Sequence, residues 1–327
     1  MLITPANMQL FFTGLSAQFW QAYGISAPFW SQVAMLKPSN TEIEKDGWMG
    51  KLPTLREWIG PRVVQNAAAR SYTLENKLWE LTLAVDKFKI QDDTYGVYAP
   101  IVAMMGMQSA KWPDYMLADT MRLNNRLAYD GLAYFHTTHP VDVDDATKGT
   151  YSNLRTLSLS PDNFQTVRAA MMKFVGEDSR PLGLMPDLLV VPPSLEITAL
   201  NILNAAFIAP QTIGGNTQVG ANENVLKGVS RLLVVPELES LAPGIDGTPA
   251  PGSGDPDPAK SWYVFDTRKP IKSHMFQQRQ APVFVPRVDP TDPVVFNEHQ
   301  FVYGVEARGN VGCTLPWLGI KSYGGVL

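Results

Sequence analysis

The stretch Lys77-Leu-Trp-Glu-Leu-Thr-Leu-Ala-Val-Asp86 decides how the rest of this chain is read. It alternates with a period of two: Trp79, Leu81, Leu83 and Val85 fall on one face, and Glu80, Thr82 and Asp86 on the other. That is a long, half-buried β-strand. The next residues, Lys87-Phe-Lys-Ile90, invert the phase, which predicts a bulge or a change of packing partner near Asp86. Asp92-Asp93 then supplies an N-cap for a helix from about Tyr95 to Asn124. Pro100 stands in the first turns of that helix. Trp112-Pro113-Asp114 stands in its middle, where the missing N–H predicts a kink or a short break, with Asp114 as a fresh cap if the helix restarts. Met104, Met105, Met107, Met116 and Met121 cluster here and read as adaptable core packing. A strand, an acidic turn and a long helix make a stiff unit with no catalytic residue in it.

Upstream, Leu10, Leu15, Phe19 and Tyr23 lie near helical spacing, so residues 6–23 predict an amphipathic helix. With Phe19 and Trp20 at its centre, it either packs on its own core or docks on a neighbouring subunit. In residues 40–72, Trp48 and Trp58 alternate with charges that include Arg56, Arg62 and Arg70, and Gly and Pro punctuate short extended pieces. The pattern predicts a long two-stranded hairpin. A lone hairpin is marginal in water, so one this aromatic and charged is expected to lie on another chain.

Downstream, Ser160 caps a helix over 161–175 with Pro161 at its first position and Phe164, Val167, Met171 and Phe174 inward. Leu188-Leu-Val-Val-Pro192 and Leu232-Leu-Val-Val-Pro236 are the same pentapeptide, and both predict buried central strands. A helix from Ser194 to about Ala206 follows the first, so residues 151–240 form an α/β unit. Residues 242–260 hold five prolines and four glycines and predict an exposed, mobile loop. Strands resume at Trp262–Asp266. Residues 296–311 read as strands returning to the first sub-domain.

Composition excludes several function classes. The chain has 327 residues, 45% hydrophobic and 18% charged, with a net charge of −4, so avid nucleic-acid binding has no electrostatic footprint. A single cysteine, Cys313, excludes a disulfide framework within the chain and suits a reducing cytoplasm. No basic-then-apolar leader and no apolar run of membrane-spanning length occurs. His136-x-x-His139 followed by Asp142 is the one arrangement that could hold a divalent ion, as in a metal-dependent hydrolase. It lies in a turn with Pro140, and no general-base glutamate stands between the histidines, so a hydrogen-bonded surface loop is expected instead. Walker, dinucleotide-binding and nucleophile-elbow motifs are missing, and no cofactor is expected.

Three ordered pieces then carry a resemblance: Tyr72-x-x-x-Asn76-Lys77-x-Trp79-Glu80, Ile90-x-Asp92-Asp93-x-x-Gly96, and Ala128-Tyr-Asp-Gly131 with Phe135 and His139-Pro140. They resemble the Mu-like major head subunits, the gpT family of major capsid proteins. The resemblance implies an α+β chain with the Hong Kong 97-type phage capsid fold. Its parts would be an N-terminal arm (1–38), an extended two-stranded loop (39–76) and a peripheral domain (77–150) with a spine helix at about 95–125. An axial α/β domain (151–265) carrying the loop 242–260 would follow, and then a return to the peripheral domain (266–327).

It implies a non-enzymatic protein of the virion that self-assembles in the host cytoplasm into hexamers and pentamers around double-stranded DNA, without sequence-specific contact. Expected partners are further copies of itself, scaffolding or protease, portal and decoration proteins, with no membrane. An encapsulin-like compartment is the alternative of the same fold. Phe19, Trp20, Trp48, Arg56, Trp58, Arg62 and Arg70 are the expected intersubunit contacts. Some members carry a long N-terminal scaffolding segment, whereas here a short stretch precedes the hairpin, so a separate or cleaved scaffold is expected. Lys51 lies where some members crosslink, but no motif around it matches.

Overall fold

In the computed structural model, the described residues are 5–49, 69–86, 88–89, 98–208, 212–213, 216–217, 222–289 and 292–326. Two sheets share one long helix. The first sheet has the order β1-β15-β16-β4, formed by β1 (Ala34–Pro38), β15 (His274–Arg287), β16 (Gln300–Cys313) and β4 (Lys77–Asp86). β1 runs parallel to β15, and the other neighbours are antiparallel. The alternation in β4 holds in part: Val85 is buried and Trp79 and Leu83 are partly covered, while Glu80 and Thr82 face solvent, but Leu81, expected on the covered face, is exposed. No bulge interrupts β4 near Asp86; the strand ends there. The Asp86 carboxylate accepts from the N–H groups of Phe88 (2.7 Å) and Lys89 (3.3 Å), which turns the chain out of the sheet. The register shifts occur instead in β15, between Gln278 and Val283, where Pro282 has no N–H to give to a ladder.

Helix α1 (Pro5–Ile25) covers this sheet together with α3 (Tyr98–Leu123), which follows the one-turn helix α2 (Trp30–Val33). The two long helices touch backbone to backbone: a Cβ at Gly106 would stand 2.4 Å from the Phe19 carbonyl oxygen. Phe12, Leu15 and Phe19 pack on Val85, Phe301, Tyr303 and Val305, so the amphipathic helix sits on its own core. α3 is a single helix through Pro113, without the expected break. Asp114 starts no second helix. Its carboxylate accepts from the N–H groups of Phe29 (3.1 Å) and Trp30 (2.8 Å) and so caps α2. Burial pushes that carboxyl up to about 6. Asp92, Asp93 and Tyr95 lie outside the described residues. Met105, Met116 and Met121 are buried as expected, but Met104 and Met107 are exposed.

The second sheet has the order β13-β8-β14-β17-β7: β13 (Arg231–Val234), β8 (Leu188–Val191), β14 (Ser261–Phe265), β17 (Gly319–Tyr323) and β7 (Leu154–Arg155). Helices α4 (Pro161–Met172) and α5 (Glu196–Asn204) cover one face. The Ser160 cap is present, accepting from Asn163 N–H at 3.2 Å. The C-terminal half of α3 covers the other face through Met116, Leu117 and Met121. The repeated pentapeptides pair in parallel, as the α/β reading requires, but only β8 is central and wholly buried. β13 is the edge strand of this sheet among the described residues, and the exposed Arg231 begins it.

The C-terminal return is split: β16 rejoins the first sheet, whereas β17 inserts between β14 and β7 of the second. Short ladders complete the described fold: β5 (His139–Pro140) with β6 (Thr150–Tyr151), β9 (Phe207–Ile208) with β12 (Asn222–Glu223), and β10 (Thr212–Ile213) with β11 (Asn216–Thr217). Among the described residues no helix is long and apolar enough to cross a membrane.

Candidate assembly surface and its anchors

Between β1 and β4 the chain makes an excursion. β2 (Ile43–Met49) and β3 (Ala69–Glu75) pair antiparallel from Ile43–Glu75 out to Met49–Ala69, the ladder expected of a hairpin. Its outer part, with Arg56, Trp58 and Arg62, lies outside the described residues, as do the side chains of Trp48 and Arg70 on the ladder itself. The root is locked by buried neutral amides, with one carboxylate closing the turn beside them. Asn76 is buried; its Nδ2 donates to Ser39 Oγ and to the Thr41 carbonyl, both at 2.8 Å, and its Oδ1 accepts from Gln277 Nε2 at 3.0 Å. Gln277 also donates to the Leu74 carbonyl, and Asn310 Nδ2 to that of Glu75 at 2.9 Å. Glu44 closes the turn by accepting from Ser39 Oγ (2.8 Å) and from the Asn40 and Thr41 N–H groups. Led by the Ser39 bond, these hold its carboxyl at about 2. Tyr72 and Leu74 press onto Met275, where Gly312 leaves the room: a Cβ there would lie 2.8 Å from Leu74. The hairpin leaves the sheet from a fixed base.

A second anchor closes the C-terminal end of α3. The buried Arg122 guanidinium bonds Asp119 at 2.8 Å and donates to the carbonyls of Ser240 (3.0 Å) and Ala242 (2.7 Å). Asp119 accepts from Ile245 N–H at 2.8 Å. Asp246 receives Arg126 (3.0 Å) and Lys77 (3.4 Å). The loop 242–260 is therefore exposed as expected, but several bonds tie it to α3. Lys321, buried on β17, donates to the carbonyls of Met121 (3.4 Å) and Arg122 (3.0 Å) at the end of the helix. Burial pushes this ammonium down to about 7.

The expected contact residues separate. Phe19 is wholly buried and stacks on Phe284 at 4.7 Å between ring centroids, so it belongs to the core. Trp20 beside it is 44% exposed and shares the outer side with Leu10 and Ile25. Ile101, Met104 and Met107 make a second exposed apolar row on α3, at helical spacing.

The metal-site alternative is overturned. His139 is buried with both ring nitrogens engaged, Nδ1 to Asp130 at 2.6 Å and Nε2 to the Tyr134 carbonyl at 3.0 Å, so neither faces an open position. His136 Nδ1 is taken up by Thr138, and Asp142 accepts from Asp144 N–H in a local turn. Among the described residues no group of three His, Cys, Asp or Glu side chains is placed to hold a metal ion.

Sequence reasoning missed one pair: the register sets His274 opposite Cys313. No spacing signal could reveal it, because the two lie on different strands. Both are fully buried, and burial pushes the thiol up and the imidazole down to about 3. Both are therefore neutral, and neither nucleophile nor base results.

Three comparisons bear on this architecture. The profile of the family described as Mu-like prophage major head subunit gpT matches residues 8–161, 155–238 and 248–324. The major capsid protein of Escherichia phage Mu is 33% identical over 142 residues, covering 43% of this chain and 47% of that protein. The Mu-like prophage FluMu major head subunit of Haemophilus influenzae is 22% identical over 313 residues, 95% of this chain and 71% of the relative. Among solved structures, a chain of the procapsid of bacteriophage JBD30 is 25% identical with a TM-score of 0.57, covering 99% of this chain and 77% of that one. The two-sheet, long-helix architecture with its rooted hairpin is thus the Hong Kong 97-type capsid fold. The chain belongs to the Mu-like prophage major head subunit gpT family.

Proposed function

We propose that this chain is the major shell subunit of a phage head, assembling with copies of itself into hexamers and pentamers of an icosahedral capsid around double-stranded DNA. The observation that supports it best is the hairpin root. A hairpin held by Asn76, Gln277 and Asn310 at its base has a set direction and little of its own core to rest on. Such an element contributes stability when it lies on a neighbour. In this reading residues 1–38 act as the arm, 39–76 as the extended loop, 77–150 as the peripheral domain and 151–265 as the axial domain. The segment after 265 divides between the two sheets. Trp20, Trp48, Arg56, Trp58, Arg62 and Arg70 are the contacts assigned to neighbouring copies. Scaffold or protease, portal and decoration proteins are the further partners, and assembly takes place in the host bacterial cytoplasm. A net charge of −4 fits a wall that encloses DNA without gripping it. The family match favours a head over an encapsulin-like compartment.

The test is negative-stain electron microscopy with light scattering of the purified protein. Shells or capsomers are expected. Replacing residues 50–68 by a short Gly-Ser turn should leave a folded protein that no longer assembles. Wild-type protein that stays monomeric under all conditions, scaffold included, would overturn the reading.

A further inference from the structure

The two packed helices contribute no charge to their own outer side. None of the 21 residues of α1 is Asp, Glu, Lys, Arg or His, and residues 98–110 of α3 include none either, in a chain that is 18% charged. Packing on the first sheet accounts for the inner sides, where Phe12, Leu15, Phe19, Val102 and Met105 are buried. It does not account for the outer ones, because a helix facing water ordinarily carries its charges there. Here the exposed positions are Leu10, Trp20 and Ile25 on α1 and Ile101, Met104 and Met107 on α3. Thr13, Ala17, Gln18 and Gln21 fill the spaces between the first three, and they are exposed as well. Depletion of charge with enrichment of Trp and Met marks the centre of a surface that meets another protein.

The chemistry of the face selects its occupant. Double-stranded DNA does not fit, because neither helix offers a cation to a phosphate. A charged protein surface does not fit either, because its charges would lose water without gaining a counter-charge. A second copy of the chain presents a matching uncharged face. Two copies related by a two-fold axis set that face on itself, which is an isologous contact. The size is sufficient. α1 is about 31 Å long and the uncharged part of α3 about 20 Å, each about 10 Å wide, so one face covers about 500 Å². Two faces together bury about 1,000 Å², the least that a specific contact needs, and a shell repeats such a contact many times. Close approach is open along α1: a Cβ added at Gly14 or Gly24 meets nothing within 4 Å.

We propose that the uncharged α1–α3 face is a two-fold contact between two copies of this chain, with Ala17 near the axis. The proposal rests on the shell reading and adds to it a contact that does not involve the hairpin and that joins chains in pairs.

A charge swap at Ala17 tests it, because this exposed helical position accepts glutamate or lysine without strain. In Ala17→Glu or Ala17→Lys alone, like charges meet across the axis. Shells per mole of folded protein, counted by electron microscopy and light scattering, should fall at least about tenfold in each. An equal mixture of the two variants sets glutamate against lysine and should recover most of the loss. Wild-type shell yield from either variant alone overturns the two-fold contact and leaves the shell reading intact. A loss in both variants that mixing does not repair means that an unlike partner covers the face, and it overturns the proposal too. Should the wild type form no shells, the same swap is read by sedimentation equilibrium. A wild-type dimer that each variant loses and the mixture regains supports the contact even as the shell reading fails, and a wild type without a dimer overturns it.

Discussion

The root of the hairpin and the end of α3 are both polar anchors, yet they are built from different chemistry. At the root, Asn76, Gln277 and Asn310 are neutral amides that each donate to a backbone carbonyl of another segment. At the helix end, Arg122, Asp119 and Lys321 are ionisable and largely buried. The reason lies in what each must satisfy. The root joins strands whose ladders are already paired, so a few directional bonds suffice to fix an angle. The last turn of a helix leaves carbonyls that carry the negative end of the dipole, and cations answer both needs. A neutral amide costs little to bury once bonded, whereas a buried charge costs much more when its partner is lost.

That contrast can be broken most forcefully at Arg122. Arg122→Ala strands a buried Asp119 carboxylate and two loop carbonyls, so a loss of about 3–5 kcal/mol is expected in urea unfolding. A loss below that of an ordinary surface substitution would mean that the helix end is not held by charge. Asn76→Ala comes next, at about 1–3 kcal/mol, because it leaves bonded groups unsatisfied without leaving a buried charge. Its larger effect should be on assembly, read as fewer shells per mole of folded protein by light scattering. Folded Asn76→Ala protein that assembles as well as the wild type would show that the hairpin's direction does not depend on the root.

Two smaller effects are read through pH. Lys321 has its ammonium lowered to about 7 from an ordinary 10.5. Between those values the unfolded chain binds more protons than the folded one, so stability rises with pH through that window. Lys321→Met removes the group, so the wild type should gain on the variant between pH 7 and pH 10. A pH-independent difference would mean that Lys321 titrates normally. Glu44 runs the other way. Its carboxyl is held at about 2 against an ordinary 4.5, so its contribution is present above pH 4.5 and is lost as pH falls toward 2. Glu44→Gln should flatten that acid limb slightly, as seen by thermal melts at pH 3 and pH 6.

Local pattern carried much of the fold. The alternation from Trp79 to Val85, the Ser160-Pro161 cap and the pentapeptide at 188–192 each name their element, because period and capping act over a few residues. The hairpin was legible in the same way, from glycines and prolines between charged and aromatic residues. Other features were not. Pro113 predicts a kink or a short break, and α3 continues through it without a break, with Met116, Leu117 and Met121 packed on the second sheet. The second LLVV run looks as buried as the first, yet it forms an edge. The loop 242–260 reads as loose, because its ties to Asp119 and Arg122 join residues more than a hundred positions apart.

The candidate surface divides along the same line. Aromatic density at Phe19-Trp20 flagged the helix correctly, and the three ordered pieces around Asn76, Asp92 and Asp130 were enough to point to the family. Which of the two neighbouring rings faces inward is a question of packing against Phe284, and sequence spacing does not reach it. Asn76 stood inside a quoted motif without a role, since its partners Ser39 and Gln277 come from two other parts of the chain. The residues alone set the elements, their caps and the absence of a catalytic motif, because those depend on neighbours in sequence. The hairpin's root, the closed end of α3 and the neutral Cys313–His274 pair arise only when distant segments meet, because burial and hydrogen-bond satisfaction are properties of the packed chain.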